Sequence, residues 1–305
     1  MTFVSSTRLA DIGAPPQIAI FDTAIATRNA GDHIIMDAVE RELSRLFPLS
    51  PMVSMPTHDR LGDEAYRLLS QSAHAFVGGT NLLASHMDAY RQWRLGGDEM
   101  LRLRDLILLA VGWWQYQDGV NDYTRLLLGR ILHRTRLHSV RDAYTARKLA
   151  EAGLENCINT GCVTTWMLDA DHVARLPEGK GEAALLTFTD YKPDVERDRK
   201  LYAQIRRHYD RVLFWIQGAG DLDYARSILA PDTEMIGPTL PALDAALAGV
   251  AGLDYVGTRL HAGIRALQHG RRTVIIAVDN RAAEMGADMG LPVVQRGDEA
   301  GLERA

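Results

Sequence analysis

The sequence predicts an α/β protein of two domains, each a parallel sheet covered by helices on both faces. Short apolar runs alternate with longer stretches of helical period from Gln17 onward, with Gly-marked turns between them. That repetition of strand and helix is the pattern of buried parallel sheets. A polar break rich in Pro and Gly, Trp166–Glu182 (WMLDADHVARLPEGKGE), interrupts the alternation, which then resumes. At 305 residues the chain is too long for one ordinary compact domain and comfortable for two. We therefore read two Rossmann-like domains, residues 1–168 and 169–305.

Taken in order, Gln17–Thr23 (QIAIFDT) reads as a buried strand and His33–Phe47 as a helix. In that helix Ile34, Ile35, Ala38, Val39, Glu42 and Leu46 recur at spacings of three and four, and Pro48 stops it. Strands follow at Met52–Met55, Ala73–Gly78, Leu106–Gly112, His138–Arg141 and Cys157–Thr160. Helical stretches at Asp59–Ser70, Tyr123–His133 and Tyr144–Gly153 fall between them. Beyond the break, Ala184–Thr189, Val212–Gln217, Asp254–Arg259 and Thr273–Val278 read as strands. Pro193–Tyr209, Leu222–Leu229, Leu240–Val250 and His261–His269 read as helices. Two such domains facing across a cleft make a GT-B-like arrangement, and open α/β sheets bind ligands at the carboxyl ends of their strands.

Composition removes several classes of function. With 47% hydrophobic and 24% charged residues the chain is globular, which excludes disordered, collagenous and coiled-coil readings. The longest apolar run, Leu106–Trp114 (LILLAVGWW), is far short of the roughly 18 residues of a transmembrane segment. A net charge of −5 argues against nonspecific nucleic-acid binding, which needs a concentrated basic face. The two cysteines, Cys157 and Cys162, build no disulfide framework, and no Cys/His set has metal-site spacing. The opening MTFVSSTRLADIGAPP lacks a basic segment followed by a long apolar core, so it is not a secretory signal, and a cytoplasmic location is expected.

Strand ends are where function is sought. In Tyr255–Val256–Gly257–Thr258–Arg259–Leu260–His261, Arg259 and His261 stand two apart where a strand becomes a helix. If the extended geometry persists, both project to one side, toward the free N–H groups and positive dipole of the next helix. A guanidinium, an imidazole and a helix N-terminus suit an anion that also receives a proton. The alternative is an Arg paired with a carboxylate and a His capping the helix. Arg141 ends a strand in Val140–Arg141–Asp142, where Asp142 is a natural N-cap and the Arg then lies on the surface.

Two turns follow strands in the first half. Arg28–Asn29–Ala30–Gly31–Asp32 and Gly78–Gly79–Thr80–Asn81 are small and polar enough for a ligand to approach the backbone. Neither is a dinucleotide fingerprint or a P-loop. Asp169, Asp171, Asp221 and Asp223 read as solvated loop residues, and no Gly-x-Ser-x-Gly elbow is present. Cys157 and Cys162 read as small apolar side chains rather than nucleophiles. Trp113–Trp114–Gln115–Tyr116 reads equally as a sugar-stacking platform or as core packing.

Taken in order, RNAGDHII (28–35), FVGGTNLL (76–83), VRDAYTARKLAEAGL (140–154) and YVGTRLHAGIRAL (255–267) resemble the polysaccharide pyruvyl transferase family. The tail TVIIAVDNRAAEMGADMGLPV (273–293) completes the resemblance, with Arg281 where the family usually has Lys. The resemblance covers the chain from about residue 17.

It implies transfer of the enolpyruvyl carbons of phosphoenolpyruvate onto two hydroxyls of a sugar, with loss of phosphate and no redox cofactor or metal. It also implies site residues. Arg141 and Arg259 would clamp the donor's phosphate and carboxylate across the cleft, with His261 as the acid, and Leu260, Gly78, Gly79 and Arg281 would be further substrate-binding residues. Asn29 and Asp32 would meet a carbohydrate acceptor, free or lipid-linked, the latter with transient membrane contact. A two-domain nucleotide-sugar glycosyltransferase and a noncatalytic member of a glycan-assembly complex are the alternatives. The acceptor sugar and whether the chain forms a homo-oligomer stay open at this level.

Overall fold

The computed structural model describes residues 15–305, so the opening segment read for a secretory pattern lies, except for Pro15 and Pro16, outside the described residues. The first half runs β1 (Gln17–Asp22), α1 (Gly31–Leu46), β2 (Met52–Pro56), α2 (Asp63–Ser70), β3 (Ser72–Gly78), α3 (Gly97–Arg102), β4 (Leu106–Leu109), α4 (Asp122–Ile131), β5 (His138–Val140), α5 (Ala143–Glu151) and β6 (Cys157–Asn159). Its four-stranded parallel sheet has the order β2-β1-β3-β4. The parallel pair β5–β6 continues it through single bridges, Leu106 to Leu132 and Val111 to Val140. Strand direction reverses its march between β1 and β3, which makes a switch point there.

After a short 3-10 turn (Val163–Thr165), the second half runs α6 (Ala170–Val173), β7 (Ala183–Thr187), α7 (Val195–His208), β8 (Arg211–Trp215), α8 (Asp221–Arg226), β9 (Glu234–Ile236), α9 (Leu240–Gly249), β10 (Leu253–Gly257), α10 (Leu260–Gln268), β11 (Thr273–Ala277), α11 (Asn280–Met289), β12 (Val293–Gln295) and α12 (Glu299–Arg304). Its six strands are all parallel in the order β12-β11-β10-β7-β8-β9, with the switch point between β7 and β10. Residues β7, β10 and β11 contribute are buried throughout, as expected of central strands covered on both faces.

Several elements carry no readable sequence pattern. β9 and β12 are three-residue edge strands, too short for any period to show. The helices α3, α6 and α12 have six residues or fewer, and α6 lies inside the segment read as a break. The strand over Leu106–Gly112 ends at Leu109, because Ala110 takes a positive φ of 55°.

Helix α1 is buried on two sides. Ile35, Met36, Val39 and Leu43 pack with Ile18 and Ile20 of β1. Ile34, with Ala30 just before the helix, instead joins the core that contains Tyr255, Leu260, Ile264 and Ile275 of the second half. Glu42, the one polar residue of its apolar stripe, is covered and ion-paired to Arg45 at 3.1 Å. The two halves are therefore joined through a shared apolar core, reinforced by Arg265 of α10 reaching Asp37 of α1 at 2.9 Å.

At the end of β10, a Cβ on Gly257 would overlap the Thr187 hydroxyl and approach the Thr187 backbone within 3 Å. Gly257 is paired with Thr187 in the ladder, so any side chain there separates β10 from β7. Gly257→Ala is expected to cost about 1–3 kcal/mol by overpacking. Urea unfolding should show this as a lower midpoint with an unchanged slope.

Candidate active site

The carboxyl ends of both sheets open onto one cavity of about 860 Å³. From the first half its wall takes Thr27, Asn29 and Asp32 after β1, His58 after β2, Thr80 and Asn81 after β3, and Trp114 after β4. From the second half it takes Asp190 and Tyr191 after β7, Gly218–Gly220 after β8, Arg259 after β10 and Arg281 after β11. This is the placement that parallel strands dictate, since loops at their carboxyl ends converge.

Arg259 is the residue immediately before α10, and only 4% of its surface is exposed. Its Nε donates to the Phe188 carbonyl and to Asp221 Oδ2, each at 3.1 Å, while Nη2 reaches Asp190 Oδ1 at 2.9 Å and also Asp221 Oδ1. Asp221 is therefore not a solvated loop residue: it is fully buried at the start of α8 and also accepts from the Gly218 N–H at 2.7 Å. A buried guanidinium requires a buried carboxylate, and the sequence does not reveal which one supplies it. Asp169, Asp171 and Asp223 are exposed, as read.

Arg281 sits at the start of α11, bonded to Asp279 through Nε at 3.0 Å and Nη2 at 2.5 Å, with Nη2 also on the Tyr191 hydroxyl. Burial would raise the Asp279 carboxyl, but Arg281 and Tyr191 outweigh it and hold it well below the usual carboxylate range. The guanidinium carbons of Arg259 and Arg281 stand 5.2 and 5.5 Å from the Tyr191 ring centroid. Among the described residues, Nη1 of neither arginine has a hydrogen-bond partner.

Arg259 and His261 do not project to the same side. The helix begins at Leu260, so the extended geometry ends between them. His261 caps nothing; it is 5% exposed, is absent from the cavity wall, and its Nε2 lies 3.8 Å from Cys162 Sγ. Burial, then the charges of Arg281 and Arg141, push its pKa down to about 3. Cys162 is itself buried, its thiol pKa raised by burial, which fits the apolar role read for it.

Arg141 is not a surface residue. It is 1% exposed, donates to Asn81 Oδ1 at 2.7 Å and to Asp142 Oδ2 at 3.1 Å, and lies off the cavity wall. Asp142 is the N-cap expected, accepting from the Thr145 N–H at 2.7 Å. The cavity wall takes Arg259 and Arg281 from the second half and Arg28, Arg91 and Arg94 from the first, while Arg141 stands behind it.

Three other residues read as ligand contacts are packed away. Gly78 and Gly79 lie under α1, where a Cβ on Gly79 would collide with Ile35, and Leu260 belongs to the core shared with Ala30 and Ile34. The glycines matter indirectly, since they aim Thr80 and Asn81 at the cavity. Asn29 does line it, but its Oδ1 already accepts from Gln217 Nε2 at 2.7 Å and the Gly31 N–H at 3.1 Å, bridging the halves. Asp32 is buried on the wall beside His58, and burial raises its pKa against the lowering effect of Thr27 and His58.

His58, Tyr191 and Asp190 escape sequence reading. Each nevertheless lies just past a strand end, which is the one signal that would have found them. The aromatic run divides: Trp113 is core, while Trp114 lines the cavity and stacks on Tyr90 at 4.0 Å with rings 10° apart. Among the described residues no group of three His, Cys, Asp or Glu side chains is arranged to hold a metal ion.

The family signature of the polysaccharide pyruvyl transferases matches residues 29–280, most of the chain. This protein belongs to the polysaccharide pyruvyl transferase family. Among curated proteins none matches it. Among solved structures it is similar to S. aureus MnaA, seen in a co-structure with UDP, at 12% identity and a TM-score of 0.54, covering 95% of this chain and 87% of that one. It is also similar to Phytolacca americana UGT2, complexed with UDP-2-fluoroglucose and pterostilbene, at 10% identity, a TM-score of 0.42 and the same coverages. The likeness to MnaA is one of fold, and it marks this pyruvyl transferase as GT-B-like. No helix among the described residues is long and apolar enough to cross a membrane.

The buried His261 makes the transferase pH-sensitive in a defined direction. Its folded pKa of about 3 lies below the ordinary 6.5, so between these values the unfolded chain binds the extra proton. The stability it allows is complete above about pH 6.5 and falls as pH drops toward 3. From pH 7.5 to pH 5 the loss is expected to be ~2 kcal/mol, at ~1.4 kcal/mol per pH unit below 6.5. Denaturant unfolding of wild type and His261→Gln at both pH values measures it, the variant losing this share of the slope.

Proposed function

We propose that this family member moves the enolpyruvyl carbons of phosphoenolpyruvate onto a sugar of a glycan or glycan precursor, giving a pyruvate ketal and free phosphate. The observation that carries this reading is that Arg259 and Arg281, each with Nη1 open, both line the cavity within 5.5 Å of the Tyr191 ring centroid. Phosphoenolpyruvate is small and carries a phosphate and a carboxylate, so it calls for two cationic forks close together. The carboxylates behind each fork hold it in place before the donor arrives, which keeps the cost of ordering low.

His261, with Arg141 and Arg281 as its charged neighbours, adjoins this pair. It is neutral without substrate, and a doubly anionic donor is what would raise its affinity for a proton. A proton on the methylene carbon then creates an oxocarbenium-like centre for a sugar hydroxyl to attack. Trp114, on the first-half wall, offers the sugar an apolar face. The donor carries its own leaving group, so the reading includes no further cofactor.

Calorimetric titration of phosphoenolpyruvate into the full chain, with uridine diphosphate as control, tests the donor assignment. Arg281→Ala should weaken phosphoenolpyruvate about 10- to 100-fold, the worth of a hydrogen bond to a charged group. Arg281→Lys should keep more of the affinity, because it retains the charge while losing the fork. Binding of the nucleotide with none of phosphoenolpyruvate overturns the reading in favour of a nucleotide-sugar enzyme.

Trp114→Ala should raise the KM for the sugar acceptor about 2- to 10-fold and leave phosphoenolpyruvate affinity unchanged. Steady-state phosphate release against acceptor concentration reads the first, and the same calorimetry reads the second.

A further inference from the structure

Asp32 and His58 approach each other from two different strand ends, and both lie on the cavity wall. His58 Nδ1 is 3.0 Å from the carbonyl oxygen of Gln92. A carbonyl only accepts, so Nδ1 carries a proton and Nε2 is the nitrogen that faces Asp32, 3.9 Å from Oδ2. In the neutral ring that nitrogen is a lone pair.

The carboxylate is fixed as well. The Thr27 hydroxyl donates to Oδ2 at 2.5 Å and the Thr80 hydroxyl to Oδ1 at 3.3 Å. A gap of 3.9 Å is too long for a direct hydrogen bond, so the Nε2 lone pair is free to accept from a hydroxyl in the cavity, with the Asp32 carboxylate beside the imidazolium that results. His261, by contrast, is off the wall and neutral, so a hydroxyl in the cavity needs another receiver for its proton.

We propose that Asp32 and His58 form the base pair that takes the proton from the acceptor hydroxyl as it attacks the donor carbon. This rests on the pyruvyl-transfer reading above. Ketal formation joins two acceptor hydroxyls to one carbon, so two protons leave the acceptor. One equivalent ends on the methylene carbon, where the π pair becomes a C–H bond. The other leaves with phosphate, as the carbon–oxygen bond to phosphate breaks with its electron pair on oxygen. Nothing is oxidised or reduced, and the pair ends each cycle in its starting protonation state.

The charged and titratable groups around the pair are Arg281 from α11, Arg28, Arg91 and Arg94 from the first-half loops on the same wall, and Tyr90, whose phenol burial keeps neutral. A kinetic measurement on the full chain tests the proposal.

Phosphate release from phosphoenolpyruvate is followed with methyl hexopyranosides bearing free 4- and 6-hydroxyls. His58→Gln and Asp32→Asn should each lower kcat about 10²- to 10⁴-fold with phosphoenolpyruvate affinity retained. Wild-type release that persists in His58→Gln overturns the base role alone. Absence of release by the wild type with every diol, together with no calorimetric binding of phosphoenolpyruvate, overturns the transfer reading and the base role with it.

Discussion

The whole arrangement depends on helix α1 being apolar on two sides. One side covers the first sheet, as any crossover helix must, through Ile35, Met36, Val39 and Leu43. The other contributes Ile34 to the core of the second half, against α10. Burying such side chains stabilises by ~1.5–3 kcal/mol each, so separating the halves exposes surface that neither can cover alone. With the helices α1 and α10 in contact, the strand ends that precede them must face the same space. The polar turn 27–32 and Arg259 therefore meet at the cavity because their helices share a core. Asn29 then ties the turn to Gln217 with a hydrogen bond that costs little once the packing has brought them together.

Charge follows the same logic. Arg259 and Arg141 are nearly without solvent, and each has an acidic partner: Asp190 and Asp221 for one, Asp142 for the other. Such buried pairs add little net stability, because desolvation offsets their attraction. Their value lies in orientation: a guanidinium held on one edge keeps the opposite edge pointed outward without needing to be ordered when substrate binds. His261 shows the converse. Burial and two arginines remove its charge, so only an incoming anion restores conditions for a proton there.

The sequence made the fold legible because central parallel strands are continuous apolar runs between helical periods, as in Ala183–Thr187 and Thr273–Ala277. The edge strands Glu234–Ile236 and Val293–Gln295 were not legible, since three half-exposed residues contain no period. At the site, looking at strand ends found Asn29, Asp32 and Arg259, and the family resemblance added Arg281; all four line the cavity. The same rule covers His58 and Tyr191, but neither stands in a Gly turn or beside a helix start, so nothing made them conspicuous. Gly78, Gly79 and Leu260 went the other way. A glycine signals that something comes close without saying what, and here it is Ile35 of a neighbouring helix rather than a ligand. Asp221 could not be read at all, because the need for it arises from Arg259, thirty-eight positions away and adjacent only in the fold.

Both halves contribute to the cavity, and neither wall is complete alone. The second half supplies Arg259 and Arg281 with their counter-carboxylates behind them, a surface complementary to a small dianion. The first half supplies Arg28, Arg91 and Arg94 together with a stacked aromatic pair and a buried carboxylate beside an imidazole. A transfer between an anionic donor and a neutral acceptor requires both surfaces within bonding distance and water kept from the activated carbon. Two separate α/β units could each bind their substrate. Only the shared core around α1 holds the two surfaces in one cavity, so the packing of that helix, remote from every reacting atom, sets the geometry in which donor and acceptor meet.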